Sequence, residues 1–363
     1  MGGTVLILAA TPFCLLHWAA PPSRGDASPV LPARGGSARG ETARAKSRRH
    51  HRRQAGGTRY RQYRRDYRYV PAVAPREDAL PAAACGAAPH YTEWFLQTDR
   101  ERSRMQEDKI IYEALFKDHA HRNGTYLELG AFDGRVESNS RFFDECLGWE
   151  GLLIEGNPDV YEKVVTHRPH AHKMSLSPTC PAGAAADRAA PFHRYGHTNA
   201  GLAGRAQDYA GKPVVAVPCG PLGLVLADVF PARDGGGGGR PTLDFFSLDV
   251  EGAEVEVLAT VNFTAVRVNV LMVEVENEHC RAYCARRKQV RARMSAEGYR
   301  RYEGLVDASD VYVHPESAFQ IPEAVAKQAE RRVRQNYRVL RRKVTSVTRK
   351  VTVVNGMVRP GGN

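Results

Sequence analysis

The sequence predicts an α/β protein with a mainly parallel, doubly wound sheet that carries helices on both faces. Three observations support this. Short apolar runs alternate with helical patterns between about residues 89 and 317. A glycine turn follows the first apolar run, and acidic residues stand at the ends of several runs. Such alternation favours parallel strands joined by helices, and such sheets bind ligands beyond the carboxyl ends of their strands.

Apolar runs of strand length predict seven strands, near residues 125–129, 151–155, 171–176, 214–217, 243–248, 269–275 and 310–313. Helical spacing predicts helices at 94–116, 137–147, 158–167, 221–229, 252–260 and 283–297. Gly298 suits the end of the last of these helices. A further basic helix, lying outside the core, is expected from residue 318 to about residue 350.

The first predicted strand runs into a glycine-containing turn. Residues 124–134 read GTYLELGAFDG, where Gly130 and Gly134 allow a tight turn and a close approach to a ligand. Phe132 stands where a dinucleotide site needs a second glycine to approach a pyrophosphate. This ring argues against NAD or FAD and is compatible with S-adenosylmethionine, which has a ribose but no phosphate. The alternative is an ordinary corner between a strand and a helix.

The second strand ends in an acid at the expected distance. Glu155 closes the run LLIE and lies 25 residues after Gly130. An acid in this place typically accepts hydrogen bonds from the hydroxyls of a cofactor ribose. Glu128, in the first strand, adds negative charge near a ligand with a sulfonium and an ammonium group.

Two later strands bring further acids to the same edge. The run LDFFSLDVEGAEVEVL places Asp249 and Glu251 directly after an apolar strand. The next run, VNVLMVEVEN, adds Glu274 and Glu276. Because carboxyl ends of parallel strands meet at one edge, we expect these four acids to cluster.

The same acids have plainer interpretations. Glu254 and Glu256 fit the first turn of a helix, where acids are favoured. Asp249, Glu251 and Glu274 offer the hard oxygen ligands of a metal site. Nothing in their spacing requires a metal ion, so none is assigned.

Several stretches, in order, resemble an FkbM-type methyltransferase domain between about residues 91 and 317. They are QEDKIIYEALF, YLELGAFDG, ESNSRFFDECLGWEGLLIEGNPDVYEKV, VPCGPLGLVL, LDFFSLDVEGAEVEVL and SDVYVHPES, of which DVEGAE is the most specific. The resemblance implies a class I methyltransferase fold, which is Rossmann-like, with S-adenosylmethionine as cofactor. It also implies O-methylation, often of sugars or natural products.

Carried over to this sequence, the resemblance implies two sets of site residues. The cofactor-binding set is Glu128, Gly130, Asp133, Gly134, Asn139 and Glu155, with Ser138 beside Asn139 at the start of the next helix. The family's signature acids fall on Asp249 and Glu251, which are our catalytic candidates. Two departures lie where an acceptor could bind: the pentaglycine at residues 235–239, and an Ala-, Gly- and His-rich segment at residues 180–206.

The reaction expected is direct transfer of the sulfonium methyl to an oxygen nucleophile. An alcohol acceptor benefits from a general base near its hydroxyl. Asp249 is the first candidate and Glu251 the second. His193 and His197, in the variable segment, come third, because a surface loop histidine is the simpler interpretation of each.

Composition divides the chain into four predicted regions: an apolar leader at 1–20, a disordered Arg-rich segment at 21–88, the methyltransferase domain at 89–317 and a basic helical tail at 318–363. The formal net charge is +12. Both flanks are strongly basic, which leaves the domain between them acidic. Basic flanks favour anionic partners such as a membrane surface. Without an RNA-binding signature, a nucleic-acid partner is not expected.

The N-terminus has the length and polarity of a signal peptide or short membrane anchor. Its apolar stretch, Val5 to Leu16, is too short to span a bilayer comfortably. The preferred interpretation is the secretory pathway, in the lumen of the endoplasmic reticulum or Golgi or bound to its membrane. The absence of Lys or Arg before the stretch, and the arginines after it, leave organelle import as the alternative.

Seven cysteines and two glycosylation sequons bear on this question. Six cysteines lie outside the leader and could pair, but their connectivity is open. Cys280 and Cys284 have poor spacing for zinc and suit a helical face or a disulfide. The sequons begin at Asn123 and Asn262 and matter only in the lumen.

Three classes of function remain open from the sequence. The first is a methyltransferase acting on a glycan or a small-molecule hydroxyl. The second is a catalytically silent methyltransferase-fold domain that serves as a binding or scaffold protein at a membrane. The third is a nucleotide-dependent oxidoreductase, which Phe132 disfavours.

Overall fold

The structure is a computed structural model that describes residues 66–73, 82–96, 102–119, 123–180, 188–205, 212–230, 240–275 and 284–335. All of them belong to one compact unit, residues 57–363. The apolar leader, the pentaglycine and Glu276 lie outside the described residues, as does most of the Arg-rich segment. No helix within the described ranges is both long enough and apolar enough to cross a membrane.

Seven strands form the main sheet in the order β3-β2-β1-β6-β7-β9-β8. They are β1 (Thr125–Leu129), β2 (Glu150–Glu155), β3 (His172–Ser175), β6 (Thr242–Leu248), β7 (Arg267–Glu274), β8 (Arg300–Glu303) and β9 (Ser309–Val313). The first five pair in parallel, and β9 is antiparallel to both β7 and β8. The predicted doubly wound, mainly parallel sheet is therefore confirmed.

Helices cover both faces of this sheet. They are α1 (Ala82–Cys85), α2 (Thr92–Phe95), α3 (Glu107–Ile111, continued by a π-helical turn at Tyr112–Phe116), α4 (Arg141–Glu145), α5 (Pro158–His167), α6 (Leu222–Val229), α7 (Glu254–Ala259) and α8 (Cys284–Ala296). A last helix, α9, occupies residues 323–335. Each of the two faces has its own apolar core.

Local chemistry explains the helix that follows β2. The Asn157 side chain caps α5 by accepting a hydrogen bond from the Asp159 amide at 3.1 Å, and Pro158 occupies the first turn. Val160 and Val164, four residues apart, are buried on the face towards the sheet. The cap sets the residue at which α5 begins, and the two valines pack α5 against the sheet after β2 ends.

One predicted strand lies outside the main sheet. Residues 214–217 fall in β5 (Val214–Pro218), which pairs antiparallel with β4 (Ala189–His193) in a separate two-stranded ribbon. Neither β4 nor the edge strand β8 was predicted. Alternating exposed residues and the prolines in β4 and β5 conceal the apolar pattern that marks the fully buried strands.

The predicted helix from Trp94 to Phe116 is wrong. The chain ends α2 at Phe95 and starts α3 only at Glu107, after Gln106 adopts a left-handed φ of 59°. Leu96 and Met105, which the prediction placed on the apolar face, are exposed. The buried Asp108 side chain explains the break, because it accepts hydrogen bonds from Ser103 Oγ at 2.5 Å and Trp94 Nε1 at 3.1 Å.

Both flanks enter the core further than expected. Tyr67 is buried, and the Val70 backbone pairs with Lys173 of β3 in both directions at 2.9 Å. Four residues of the tail, predicted to lie outside the core, are buried against it: Phe319, Ile321, Ala326 and Ala329.

Disulfides join separate parts of the chain. Cys85 pairs with Cys146, which fastens α1 to the segment after α4, and Cys180 pairs with Cys219, which fastens the β4–β5 ribbon to the loop after β3. Cys284 is disulfide-bonded as well. The pairing that the sequence left open is thus settled for four cysteines.

The fully buried guanidinium of Arg168 supports the residues beneath the loop at the carboxyl edge of the sheet. Arg168 Nε donates to Asp144 Oδ2 at 2.7 Å, and Nη2 donates to the Tyr126 hydroxyl at 2.8 Å. Its Nη1 donates to the Gly134 carbonyl at 3.0 Å and lies 3.9 Å from Glu128 Oε2. Burial opposes its charge, but the neighbouring Tyr126, Asp144 and Glu128 more than offset this and raise the Arg168 pKa.

We expect Arg168→Ala to lower the free energy of unfolding by about 3–5 kcal/mol, because Asp144 and Glu128 would stay buried without their counter-charge. Urea unfolding with the disulfides intact measures this. Arg194→Ala is the matched control, since Arg194 pairs with Asp159 at the surface, and it should leave the midpoint nearly unchanged. Equal effects of the two variants would contradict a supporting role for Arg168.

Candidate active site

The carboxyl ends of four parallel strands meet at one edge of the sheet. The β1 residue Leu129 pairs with Ile154 of β2 on one side and with Leu248 of β6 on the other. On the far side of β6, β7 reaches this edge at Glu274. The topology therefore places the predicted cofactor loop between the predicted ribose acid and the predicted catalytic acids.

Gly130 makes the turn after β1 possible. Its φ is +90°, and a Cβ there would lie 1.7 Å from the Asp249 carbonyl oxygen. The Asp249 amide in turn donates to the Leu129 carbonyl at 3.1 Å. The loops after β1 and β6 are thus in direct backbone contact, and no side chain fits between them.

Glu128 holds the loop from below. Its carboxylate accepts from Ser138 Oγ at 2.7 Å, from the Asn139 amide at 2.7 Å and from Ser140 Oγ at 2.6 Å. Burial raises its pKa, while nearby Arg168 opposes that shift. Predicted as a cofactor contact, Glu128 is engaged with the protein's own residues 138–140 and acts here as a support for the loop.

Asp133 and Gly134 shape the far end of the loop. The Asp133 carboxylate accepts from the Arg135 and Val136 amides, each at 2.9 Å, which closes the turn. Gly134 has a φ of +80°, and a Cβ there would lie 2.9 Å from Arg168 Cγ. Both predicted cofactor residues therefore set the path of the backbone.

Glu155 points at this loop from the tip of β2. Its Oε2 accepts the Phe132 amide at 2.7 Å, and its Oε1 accepts the Asn157 amide at 2.6 Å. Phe132 itself has a left-handed φ of 48°, which turns its amide towards the carboxylate. A carboxylate offers about four lone-pair sites, so after the Phe132, Asn157 and Gly156 amides it keeps capacity for one further donor.

The protonation of Glu155 is sensitive to its surroundings. Burial raises its pKa to about 7, against the opposing effect of the backbone amides of Asn157, Phe132 and Gly156. A donor from a ligand hydroxyl would favour the ionised form.

One side-chain atom of Asn139 has no hydrogen-bond partner among the described residues at this edge. Its Nδ2 donates to Ser247 Oγ at 3.1 Å, which joins the loop after β1 to β6. Its Oδ1 is buried and accepts from no described residue. A buried amide oxygen without a donor is costly, so this atom suits a donor from a bound ligand.

Asp249 and Glu274 form a carboxyl pair across the ends of β6 and β7. The two side chains are hydrogen-bonded to each other. The negative charge of Asp249, followed by burial and the charge of Glu251, raises the pKa of Glu274 well above its usual range. Burial also raises the Asp249 pKa, but the bond from Glu274 opposes this. We therefore assign the shared proton to Glu274, which leaves Asp249 as the ionised member.

The other acids of the turn have different surroundings. Glu251 lies in the turn with a left-handed φ of 55°, and its carboxylate is within 4.8 Å of those of Asp249 and Glu274. Three such oxygens suit a hard cation, although the spacing of these acids in the sequence does not require one. Glu254 instead accepts from the Gly252 and Val250 amides at 3.0 and 3.3 Å, as expected for the first turn of α7.

A small cavity opens beside these acids. Its volume of about 20 Å³ is enough for a water-sized group, and it is lined by Glu251, Gly252, Glu254, Glu274, Val275, Arg286, Arg287 and Val290. Arg286 Nη1 donates to the Gly252 carbonyl at 2.7 Å and to the Arg205 carbonyl at 3.0 Å. These bonds bring the end of the variable segment to the turn that carries Glu251.

The two histidines of the variable segment have different surroundings from these acids. His193 ends β4, and its backbone amide donates to the Gly201 carbonyl at 2.9 Å. His197 is exposed and stacks on Tyr195 with ring centroids 5.3 Å apart. The surface interpretation suits His197, and no described contact brings either histidine to the Asp249 carboxylate.

Residues 128–301 match the family model described as the methyltransferase FkbM domain. The chain therefore contains an FkbM methyltransferase domain, and the observed strand order is that of a class I methyltransferase fold. Among solved structures, the mitomycin 7-O-methyltransferase MmcR is similar at 11% identity with a TM-score of 0.28. That alignment covers 58% of this chain and about half, 54%, of the other. No curated protein matches the sequence.

Two parts of the site were missed from the sequence. Arg168 was not singled out, because its partners lie up to 42 residues away and nothing local marks it as buried. Glu274 was expected at this edge but not as the proton-sharing partner of Asp249. The sequence does offer one signal for this pairing, because Glu274 ends an apolar strand next to the strand that leads into DVEGAE.

We expect Gly130→Ala to lower the free energy of unfolding by more than about 2 kcal/mol, because the new methyl group would overlap the Asp249 carbonyl in a left-handed backbone. Gly148→Ala is the matched control: its φ is +66°, but nothing lies within 4 Å of the added Cβ. It should cost only the left-handed strain of about 1 kcal/mol. Urea unfolding of both variants tests the contact, and equal losses would show that the steric overlap is relieved at no cost.

Proposed function

We propose that this methyltransferase domain uses S-adenosylmethionine to methylate a hydroxyl group, with a glycan or a related small molecule as acceptor. The observation that carries the proposal is the arrangement of Glu155 and Asp249 on opposite sides of the Gly130 turn. One carboxylate suits the ribose of the donor and the other suits a proton from the acceptor. The FkbM domain supports the methyl-transfer chemistry.

The residues at the edge fit an adenosyl ligand without a diphosphate. Glu155 keeps a lone pair to accept from a ribose hydroxyl and already faces the loop through the Phe132 amide. Asn139 Oδ1 offers an unused buried acceptor for the ligand's ammonium group. Phe132 puts a side chain where a pyrophosphate would need a bare backbone. Gly130, Asp133 and Gly134 then contribute by shaping the loop.

S-adenosylmethionine, when bound, supplies a methyl group already activated on a sulfonium, so the protein's own task is alignment and proton transfer. Held by Glu155 and Asn139, this cofactor would supply its methyl group to the acceptor oxygen and would leave as S-adenosylhomocysteine, with the electron pair of the broken carbon–sulfur bond on sulfur. The hydroxyl proton moves to the Asp249 carboxylate. Glu274, holding the shared proton, keeps Asp249 oriented, and Glu251 beside them is the second candidate base.

The choice of a neutral hydroxyl acceptor follows from the charge of this edge. Asp249, Glu251 and Glu274 lie within 4.8 Å of one another, so the site disfavours an anionic acceptor. A hydroxyl-rich molecule can use carboxylates as hydrogen-bond acceptors without adding charge. Arg286 and Arg287 line the nearby cavity.

The proposed compartment is the lumen of the secretory pathway. The disulfides Cys85–Cys146 and Cys180–Cys219 support it, because such bonds persist in oxidising compartments and are rare in the cytosol. An anionic membrane surface is the proposed partner of the basic flanks. Organelle import is the alternative route, for which the disulfides provide no support.

Incubation with tritiated methyl donor and separate glycan, protein and RNA fractions tests the acceptor class. We expect alkali-stable label in the glycan fraction, and Asp249→Asn should lower its rate by about 10²–10⁴-fold through loss of the general base. S-adenosylhomocysteine should bind this variant as it binds the wild type. Glu256→Gln is the matched control, because Glu256 lies on α7 and pairs with Arg205. This variant should keep the wild-type rate.

The other outcomes have distinct meanings. Label confined to RNA or protein would contradict the glycan assignment. Binding of S-adenosylhomocysteine with no label in any fraction would favour the catalytically silent scaffold instead.

A further inference from the structure

We propose that Asn262 is a site of N-linked glycosylation, on the side of the domain opposite the methyltransferase site. The sequence Asn262-Phe263-Thr264 satisfies the acceptor pattern of Asn, any residue except proline, and Ser or Thr. This inference does not rest on the domain's catalysis, only on passage of the chain through the secretory lumen.

The acceptor side chain is presented in an exposed turn between α7 and β7. Asn262 and Thr264 are exposed, while Phe263 between them is buried against Tyr299, with ring centroids 5.7 Å apart. The buried ring anchors the turn, so the two residues that an oligosaccharide-transferring enzyme must reach face solvent.

The atom that would be modified is separate from the atom that serves the fold. Asn262 Oδ1 accepts from Thr264 Oγ1 at 2.7 Å, from the Thr264 amide at 3.1 Å and from the Ala265 amide at 3.3 Å. Within the described residues, every hydrogen bond of this side chain uses Oδ1. A sugar on Nδ2 therefore leaves the turn intact.

The second sequon has a contrasting structure. In Asn123-Gly124-Thr125, Thr125 is 1% exposed and starts β1. Its hydroxyl donates to the Thr242 carbonyl and to Asp244 Oδ2, each at 3.2 Å. The hydroxyl that the sequon requires is thus part of the core, so the structure favours Asn262 over Asn123.

The position of Asn262 is compatible with an active enzyme. It precedes β7, which starts at Arg267, whereas the acid Glu274 lies at the other end of that strand. An eight-residue strand spans roughly 25 Å, so a glycan at Asn262 projects from the edge opposite the site.

The modification is balanced with a lipid-diphosphate-linked oligosaccharide as donor. The Asn262 Nδ2 forms a bond to C1 of the first sugar, the C1–oxygen bond breaks, and the lipid diphosphate leaves. One Nδ2 proton passes to a base of the transferring enzyme. The disulfides of the domain are evidence that the chain folds where such donors are used.

The test uses the full chain with its own N-terminus, produced in a eukaryotic secretory host. We expect a mobility shift that an amidase specific for N-linked glycans removes, with residue 262 converted to Asp in the peptide map. Thr264→Ala should abolish the shift, whereas Thr264→Ser, which keeps the hydroxyl, and Asn123→Gln should retain it. Non-reducing peptide mapping of the same sample reports Cys85–Cys146.

Three results would overturn the proposal. The first is an unmodified Asn262 in protein whose disulfides have formed, and the second is a glycan on Asn123 alone. The third is a chain with neither disulfide nor glycan, which shows that it does not enter the lumen. Binding of S-adenosylhomocysteine before and after deglycosylation should be equal, so failure here is distinguishable from failure of the methyltransferase proposal.

Discussion

The hydrogen bond between the Glu155 carboxylate and the Phe132 amide is the interaction on which the site depends. It fastens the loop after β1 to the tip of β2, while the absence of a side chain at Gly130 lets the same loop touch the Asp249 carbonyl. Below the loop, Arg168 links Gly134 to the buried acids Asp144 and Glu128. The loop is therefore fixed from three directions, and this rigidity holds Glu155 on one side of it and Asp249 on the other.

The same arrangement explains how several carboxyl groups coexist at one edge of the sheet. Glu155 has a pKa raised to about 7 by burial, and hydroxyl donors from a ligand favour its ionised form. Asp249 and Glu274 share a proton, so their pair carries less negative charge than two ionised acids would. The carboxylates at this edge would otherwise repel one another. Backbone amides stabilise the charge of Glu155, and the shared proton stabilises Asp249 beside Glu274.

The sequence predicted the sheet well because strands buried on both faces are continuous apolar runs, as in β1 and β6. It also identified the loop and the acids at the strand ends, since glycine spacing and strand tips are local features. It could not predict contacts between distant residues: the Arg168 network, the Asp249–Glu274 bond and the break before α3 all depend on tertiary partners. Phe132 was expected to exclude a diphosphate, but its left-handed backbone became evident only in the structure.

Calorimetric titration with S-adenosylhomocysteine and with NAD tests the central claim most directly. The account predicts saturable binding of S-adenosylhomocysteine, no binding of NAD, and a loss of about 10–100-fold in affinity for Glu155→Ala, as expected for charge-assisted hydrogen bonds worth about 1.5–3 kcal/mol. Tighter binding of NAD, or unchanged affinity in a folded Glu155→Ala variant, would contradict it.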